Sequence, residues 1–136
     1  MLDTAALQGA VLLLETSEDL PSAQAVKRIV RGLGERGYLE AVAGIPVARP
    51  PVSASDKPLP TVAERRRLRN EQCDTVLEQI THDNPEAVVC VGVPFGHTRP
   101  QWIIPHAGTI TLNGNNRTML ANYDEITPER PRIPAA

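Results

Sequence analysis

The alternation of apolar and polar positions divides the first third of the chain into a strand followed by a helix. Residues 9–15, GAVLLLE, form a continuous apolar run of strand length, typical of a parallel strand buried on both faces. After Pro21, apolar residues recur at helical spacing opposite a basic face, and Gly34 and Gly37 end this predicted helix. Its apolar positions are Ala23, Val26, Ile29, Val30 and Leu33.

The rest of the chain repeats this order and adds a hairpin. Residues 44–50, GIPVARP, predict a short strand, and Pro46 favours an edge position because proline offers no N–H to a ladder. A second helix is predicted over about 61–82, from the stripe Cys73, Val76, Leu77 and Ile80. The strand EAVVCVGV follows, and the segments GTITLN and RTMLAN around Gly114 predict a β-hairpin.

Two proline-rich segments interrupt this pattern. Residues 49–60, RPPVSASDKPLP, predict an irregular loop, either a flap or an insertion. Residues 124–136 contain too few apolar residues to fold and are predicted to form a mobile tail. The remaining residues, 1–123, are therefore interpreted as one α/β domain with a central sheet, two main helices and a C-terminal hairpin.

Composition narrows the class of protein. Fourteen basic and 16 acidic residues give a net charge of −2, which favours neither nucleic acid nor an anionic membrane as a partner. The basic run at residues 64–69, ERRRLR, is the exception, and is interpreted as a solvated helix face. The N-terminus lacks the basic region and cleavage site of a signal peptide, and no apolar run is long enough to span a membrane. Cys73 and Cys90 are interpreted as buried, reduced thiols, and we predict a cytoplasmic protein.

Residues 92–108, GVPFGHTRPQWIIPHAG, place His97 in a glycine- and proline-rich turn directly after a predicted strand. Active residues gather beyond the carboxyl ends of parallel strands, so Glu15 and His97 meet if their strands are neighbours. A carboxylate beside an imidazole fixes its tautomer and stabilises the imidazolium. From the residues alone the alternatives stay open: Glu15 as a solvent-facing or helix-capping residue, and His97 as a structural histidine.

The same residues carry a resemblance to a known family. Residues 12–15, LLLE, and residues 92–97, GVPFGH, match the "LxLE" and "G-x-P-x-G-H" contexts of one group of serine peptidases. This group comprises the LD-carboxypeptidases (muramoyltetrapeptide carboxypeptidases) and the microcin C self-immunity peptidases. About residues 8–123 of this chain resemble the C-terminal domain of these enzymes. The TSE after Glu15 and the FGHTxPQ form are closer to the microcin-immunity branch.

The resemblance implies both a fold and a catalytic role. The implied fold is a small swivelling β/β/α domain that packs on an N-terminal domain bearing the nucleophilic serine. Glu15 and His97 would then complete a Ser-Glu-His triad for hydrolysis of an amide bond in a muropeptide or a microcin C-like peptidyl or aminoacyl nucleotide. Ser17, Ser22, Ser53 and Ser55 lack the glycine-flanked elbow of an activated serine. We therefore expect this chain alone to be inactive, whether it is a piece of a longer enzyme or an orphan domain.

Three further residues are candidates for substrate binding: Thr98, Arg99 and Trp102. Arg99 stands where many relatives carry aspartate, which implies a changed substrate preference. Trp102 either lines the cleft beside His97 or packs in a core or interface. We predict no metal ion, because His82, His97 and His106 lack metal-ligand spacing. The family resemblance implies a reaction that needs no organic cofactor.

The face that meets the missing domain should be apolar and exposed, which predicts a homodimer. The rival hypothesis is a non-catalytic interaction or oligomerisation domain derived from the same fold.

Overall fold

The computed structural model describes residues 3–54, 56 and 58–123. A short 3-10 helix at Thr4–Leu7 leads to the main elements. These are α1 (Ala23–Gly34), α2 (Tyr38–Ala41), β1 (Gly44–Ala48), α3 (Val62–Asp83), β2 (Val88–Val93), β3 (Thr109–Asn113) and β4 (Thr118–Asn122). The two predicted main helices and the predicted hairpin are confirmed. The predicted tail at 124–136 lies outside the described residues.

The parallel sheet has β1 in its middle. β1 pairs with β2 in parallel register, from Gly44 opposite Val88 to Ala48 opposite Val93. On its other side, residues 11–14 run parallel to β1 through bridges from Val11 to Gly44 and from Leu14 to Val47. The carboxyl ends of all three segments therefore point the same way. The expectation that the segments carrying Glu15 and His97 are direct neighbours is wrong, because β1 separates them.

Pro46 explains why the first segment is not a regular strand. It is fully buried in the central strand rather than at an edge, so the prediction from its sequence was wrong. The Pro46 carbonyl accepts a hydrogen bond from the Leu14 N–H at 3.0 Å. The nitrogen of Pro46 faces the same side and has no hydrogen to donate. One rung of the ladder is therefore missing, and residues 11–14 make two separate bridges instead of a continuous strand.

The sheet is covered by helices on one face and by the hairpin on the other. The helical face contains the main core, in which Leu39, Ile45 and Ile80 are 0% exposed. The core residues are Val26, Val30, Leu39, Val42, Ile45, Val47, Val76 and Ile80. The opposite face holds a smaller cluster of Ala48, Val93 and Phe95, against which Met119 of β4 packs. This layering of hairpin, sheet and helices is the predicted β/β/α arrangement.

Hydrogen bonds from side chains set the helix ends. The Ser22 hydroxyl accepts from the Ala25 N–H and starts α1, and the Thr61 hydroxyl accepts from the Glu64 N–H and starts α3. After α3, the buried Asn84 amide donates to the carbonyls of Leu39 and Val42 at 2.7 and 3.1 Å. These bonds hold the end of α3 against the segment before β1 and so position the start of β2.

Both cysteines are free, as predicted, but neither is fully buried. Cys73 lies on α3 beside an apolar cavity below Glu15. Burial, followed by the nearby Asp74 carboxylate, raises the pKa of the Cys73 thiol. Within the described ranges, no helix is both long enough and apolar enough to cross a membrane.

Candidate active site

The structure brings Glu15 and His97 together, as predicted, although β1 lies between their strands. Glu15 directly follows the bridge at Leu14, and His97 lies in the turn after β2. The Glu15 Oε2 atom is 3.4 Å from Nδ1 of His97. Both side chains are about half exposed, so the contact lies at the surface of the domain. The parallel direction of the strands explains the meeting, because each residue follows a carboxyl end at the same edge.

Gly96 makes this approach sterically feasible. Its φ of +70° lies in the left-handed region, where a side chain is strained. A Cβ atom at this position would collide with the Glu15 carboxylate. Next to it, the buried Phe95 anchors the turn, and the Thr98 N–H donates to the Gly96 carbonyl at 2.9 Å. A residue other than glycine at position 96 would push Glu15 away from His97.

Glu18 is a second carboxylate on the same imidazole, and sequence analysis missed it. Its Oε2 atom lies 2.8 Å from Nε2 of His97, on the side of the ring opposite Glu15. Both contacts are hydrogen bonds only when both ring nitrogens carry protons, as in the imidazolium. Glu18 sits two residues before Leu20, whose φ of 55° bends the chain back. Its position depends on this turn, and turns of this kind leave no periodic signal in the sequence.

Arg49, at the end of β1, clamps the turn that carries His97. Its Nε donates to the Thr98 hydroxyl oxygen at 2.9 Å, and its Nη2 donates to the Pro100 carbonyl at 3.1 Å. Thr98, a predicted substrate-binding residue, lines the cleft but is buried, and its hydroxyl accepts the bond from Arg49. This role of Arg49 was not predicted, because the residue lies where the predicted strand at 44–50 overlaps the predicted loop at 49–60.

His97 faces a cleft of about 590 Å³ between the turn, the proline-rich loop and α3. Arg99, another predicted substrate-binding residue, lines this cleft with an exposed side chain. Arg69 lines it as well, partly buried. The interpretation of the run 64–69 as a solvated helix face is therefore wrong for Arg69. Burial first, then repulsion from Arg49 and Arg65, lowers the pKa of its guanidinium.

Trp102, another predicted substrate-binding residue, is not among the residues that line this cleft. It is 55% exposed and therefore not a packed core residue. With Ile103, which is 83% exposed, it lines a shallow hollow that shares Glu15, Gly96 and Gln101 with the His97 cleft. The backbone N–H of Trp102 donates to the Pro94 carbonyl at 2.6 Å, and this hydrogen bond holds the segment against the turn.

The described serines do not provide an activated hydroxyl. Ser17 donates to the Asp19 carboxylate at 3.1 Å, and Ser22 caps α1. Ser53 lines the cleft but makes no hydrogen bond to His97 among the described residues. Ser55 is outside those residues. Among the described positions, no group of three or more histidine, cysteine, aspartate or glutamate residues is arranged to hold a metal ion.

Comparison with known proteins identifies the family. The family model described as the LD-carboxypeptidase C-terminal domain matches residues 1–112. The chain therefore belongs to the LD-carboxypeptidase C-terminal domain family. No curated protein sequence matches the chain.

A solved structure supports the fold. The crystal structure of an MccF-like protein from Streptococcus pneumoniae in complex with AMP aligns with a TM-score of 0.67 at 21% sequence identity. The alignment covers 92% of this chain and 32% of that chain. At this level of identity the similarity establishes the α/β fold. The chain spans about a third of the length of the MccF-like protein it matches.

Proposed function

We propose that this domain supplies the general base and its orienting carboxylate to a serine peptidase whose nucleophile lies on another domain. The observation that carries the proposal is the 3.4 Å contact between Glu15 Oε2 and Nδ1 of His97 at the carboxyl edge of the sheet. Membership in the LD-carboxypeptidase C-terminal domain family supports the same assignment. The half-exposed position of both side chains leaves the pair open to a nucleophile from outside the domain.

The proposed reaction follows from the two nitrogens of His97. With Nδ1–H donated to Glu15, the lone pair on Nε2 accepts the proton of the serine hydroxyl as its oxygen attacks the amide carbon. The imidazolium then returns that proton to the nitrogen of the leaving amine, and the C–N bond breaks. Water hydrolyses the acyl-enzyme by the same route, with His97 again taking and returning the proton. Glu15 stabilises the imidazolium in each step.

Glu18 sets a condition on this mechanism. Its carboxylate occupies the Nε2 side of His97, where the serine hydroxyl must approach. Glu18 is 69% exposed on its side chain and lies on a turn, so it has room to move away. We propose that docking of the nucleophile-bearing domain displaces it. Glu18→Gln should then leave the base functional, whereas Glu15→Ala removes its orientation.

The proposed substrate is a muropeptide or a peptidyl or aminoacyl nucleotide. The MccF-like protein with the same fold was crystallised with AMP, which favours the nucleotide among these. Arg99, in the cleft, and Trp102, beside Glu15, are the proposed substrate contacts, with Thr98 holding the turn between them. The neighbouring Ile103, which is 83% exposed, is the proposed contact for the nucleophile-bearing domain.

The decisive experiment is activity-based labelling of an assembled enzyme. The chain is fused to a nucleophile-bearing N-terminal domain of the LD-carboxypeptidase type and treated with a fluorophosphonate, which reacts with an activated serine. We expect labelling that falls by about a hundredfold or more in His97→Ala, in line with loss of a general base. Glu40→Gln and His82→Ala, both exposed and outside the cleft, are the matched controls and should label normally.

Two outcomes decide between the hypotheses. Labelling that persists in both Glu15→Ala and His97→Ala contradicts the catalytic assignment and favours a non-catalytic interaction domain. On the 136-residue chain alone, nitrogen NMR of the His97 ring provides an independent test. The Nδ1 hydrogen bond should be lost in Glu15→Ala and retained in Glu40→Gln.

A further inference from the structure

Arg69 has no acidic partner within the described part of the chain. The ion pairs there join Lys27 to Glu78, Arg31 to Glu35, Arg67 to Glu71, and His97 to its two glutamates. Among the described residues, Arg69 makes one hydrogen bond, from its Nε to the Pro50 carbonyl at 3.4 Å. The N–H groups on its two terminal nitrogens are therefore not engaged by any described residue. The Arg69 side chain lines the His97 cleft, where these groups can donate to a ligand.

The surroundings of Arg69 increase its need for a counter-ion. Arg49 and Arg65 lie close enough to lower its pKa, in addition to burial. A partly desolvated cation beside two others is costly unless an anion compensates for it. Arg49 does not share the task, because the turn carbonyls and Thr98 already accept from its guanidinium.

The acids in the cleft are already engaged. Glu15 and Glu18 lie on the two nitrogens of His97, and neither forms an ion pair with an arginine. Arg99 is exposed and forms no ion pair with an acidic side chain among the described residues. Its backbone is held by Arg49, which donates to the Arg99 carbonyl at 3.5 Å. Ser53 contributes a hydroxyl to the same cleft.

We propose that Arg69 and Arg99 form an anion-binding subsite beside His97, which takes a carboxylate or phosphate group of the ligand. Guanidinium groups present paired N–H donors that match the oxygens of both groups. The subsite deepens the proposed function, and its role in the reaction rests on that function: the anionic group would place the scissile amide against His97. Anion binding itself does not require the reaction.

The test is an NMR titration of the 136-residue chain with inorganic phosphate, and separately with acetate, at constant ionic strength. We expect saturable shifts confined to the turn at 96–101, the loop at 51–53 and the first half of α3. Arg69→Gln should weaken the binding by about tenfold or more, as expected for loss of a charge-assisted bidentate contact. Arg99→Gln should weaken it by about threefold, because that side chain is exposed.

The matched control is Arg66→Gln, which removes the same charge from an exposed position on the same helix. It should change the affinity by less than about twofold, in line with screened surface charge. Equal weakening by Arg66→Gln and Arg69→Gln overturns the subsite in favour of general attraction. A folded wild-type chain without saturable shifts up to about 50 mM of either anion also overturns it. If Arg69→Gln does not fold, Arg99→Gln against Arg66→Gln decides.

Paired ligands identify the source of the anion. N-acetylalanine is compared with its amide, and ribose 5-phosphate with ribose. Binding that requires the carboxylate supports a peptide with a free carboxyl end, and binding that requires the phosphate supports a nucleotide. Anion binding that persists while His97→Ala has no effect on fluorophosphonate labelling would retain the subsite and contradict the proposed catalysis.

Discussion

Two regions of the domain, the helical core and the turn that carries His97, are stabilised by different interactions. In the core, α1 and α3 cover the sheet with aliphatic side chains, and Leu39, Ile45 and Ile80 are 0% exposed. The turn at 94–101 depends on hydrogen bonds from Arg49 and on the conformation of Gly96. Packing therefore determines the stability of the domain, whereas a few polar contacts determine the geometry of the site. Substitutions in the two regions should have separable effects.

The largest effect on stability is expected in the helical core. Ile80→Ala removes a fully buried side chain from the junction of α3 and the sheet, and should lower the free energy of unfolding by about 3–5 kcal/mol. Urea denaturation followed by circular dichroism measures this loss. Ile103→Ala, at a position 83% exposed, is the control and should cost less than about 0.5 kcal/mol. Similar losses for the two variants would contradict the division into two regions.

The second effect concerns Gly96, where conformation and close approach coincide. Gly96→Ala should cost about 2–3 kcal/mol and separate Glu15 from His97, because its Cβ meets the Glu15 carboxylate. Gly92→Ala is the matched control, since Gly92 has a φ of +77° but no atom within 4 Å of a Cβ. It should cost about 1–2 kcal/mol from strain alone. The nitrogen chemical shifts of the His97 ring should change only in Gly96→Ala. A change in both variants would mean that backbone strain, and not collision with Glu15, alters the site.

Arg49 should affect the site more than the fold. Arg49→Gln removes the donors to Thr98 and Pro100, at an expected cost of about 1–2 kcal/mol. Amide hydrogen exchange should accelerate in residues 96–102, while α1 and α3 remain protected. Arg31→Gln breaks an exposed ion pair with Glu35 and should cost less than about 0.5 kcal/mol. Uniform acceleration along the chain would show that Arg49 supports the whole domain.

The same division explains what could be predicted from the sequence. Helix α1, helix α3 and the hairpin were predicted because their apolar residues repeat with a regular period. The meeting of Glu15 and His97 was predicted because both follow carboxyl ends of strands. Pro46 was misplaced because its missing N–H faces residues 11–14, where the ladder tolerates one lost rung. Glu18, Arg49 and Arg69 were missed because their roles depend on the paths of turns and on which helix position faces a cleft.

The smallest effect concerns Cys73, which lies on α3 where the two regions meet. Burial and Asp74 raise the pKa of its thiol, and Arg69 opposes them. As the pH rises, the Cys73 thiol of the unfolded chain therefore loses its proton before that of the folded chain. The contribution of this thiol to the free energy of unfolding is fully present below the unfolded pKa and is lost as the pH rises through the folded pKa. In a Cys90→Ser background, iodoacetamide should react with the folded chain more slowly than with the unfolded chain, because the thiolate is the nucleophile.

Two substitutions beside Cys73 sharpen this prediction. Asp74→Asn removes a carboxylate that disfavours the thiolate and should speed alkylation modestly, by about twofold. Arg69→Gln removes a cation that favours the thiolate and should slow it by a similar factor. Slower alkylation in Arg69→Gln would show that a charge in the cleft acts on the Cys73 thiol at the edge of the helical core. Equal alkylation rates in both variants would mean that burial alone sets the pKa of the Cys73 thiol, without a contribution from Asp74 or Arg69.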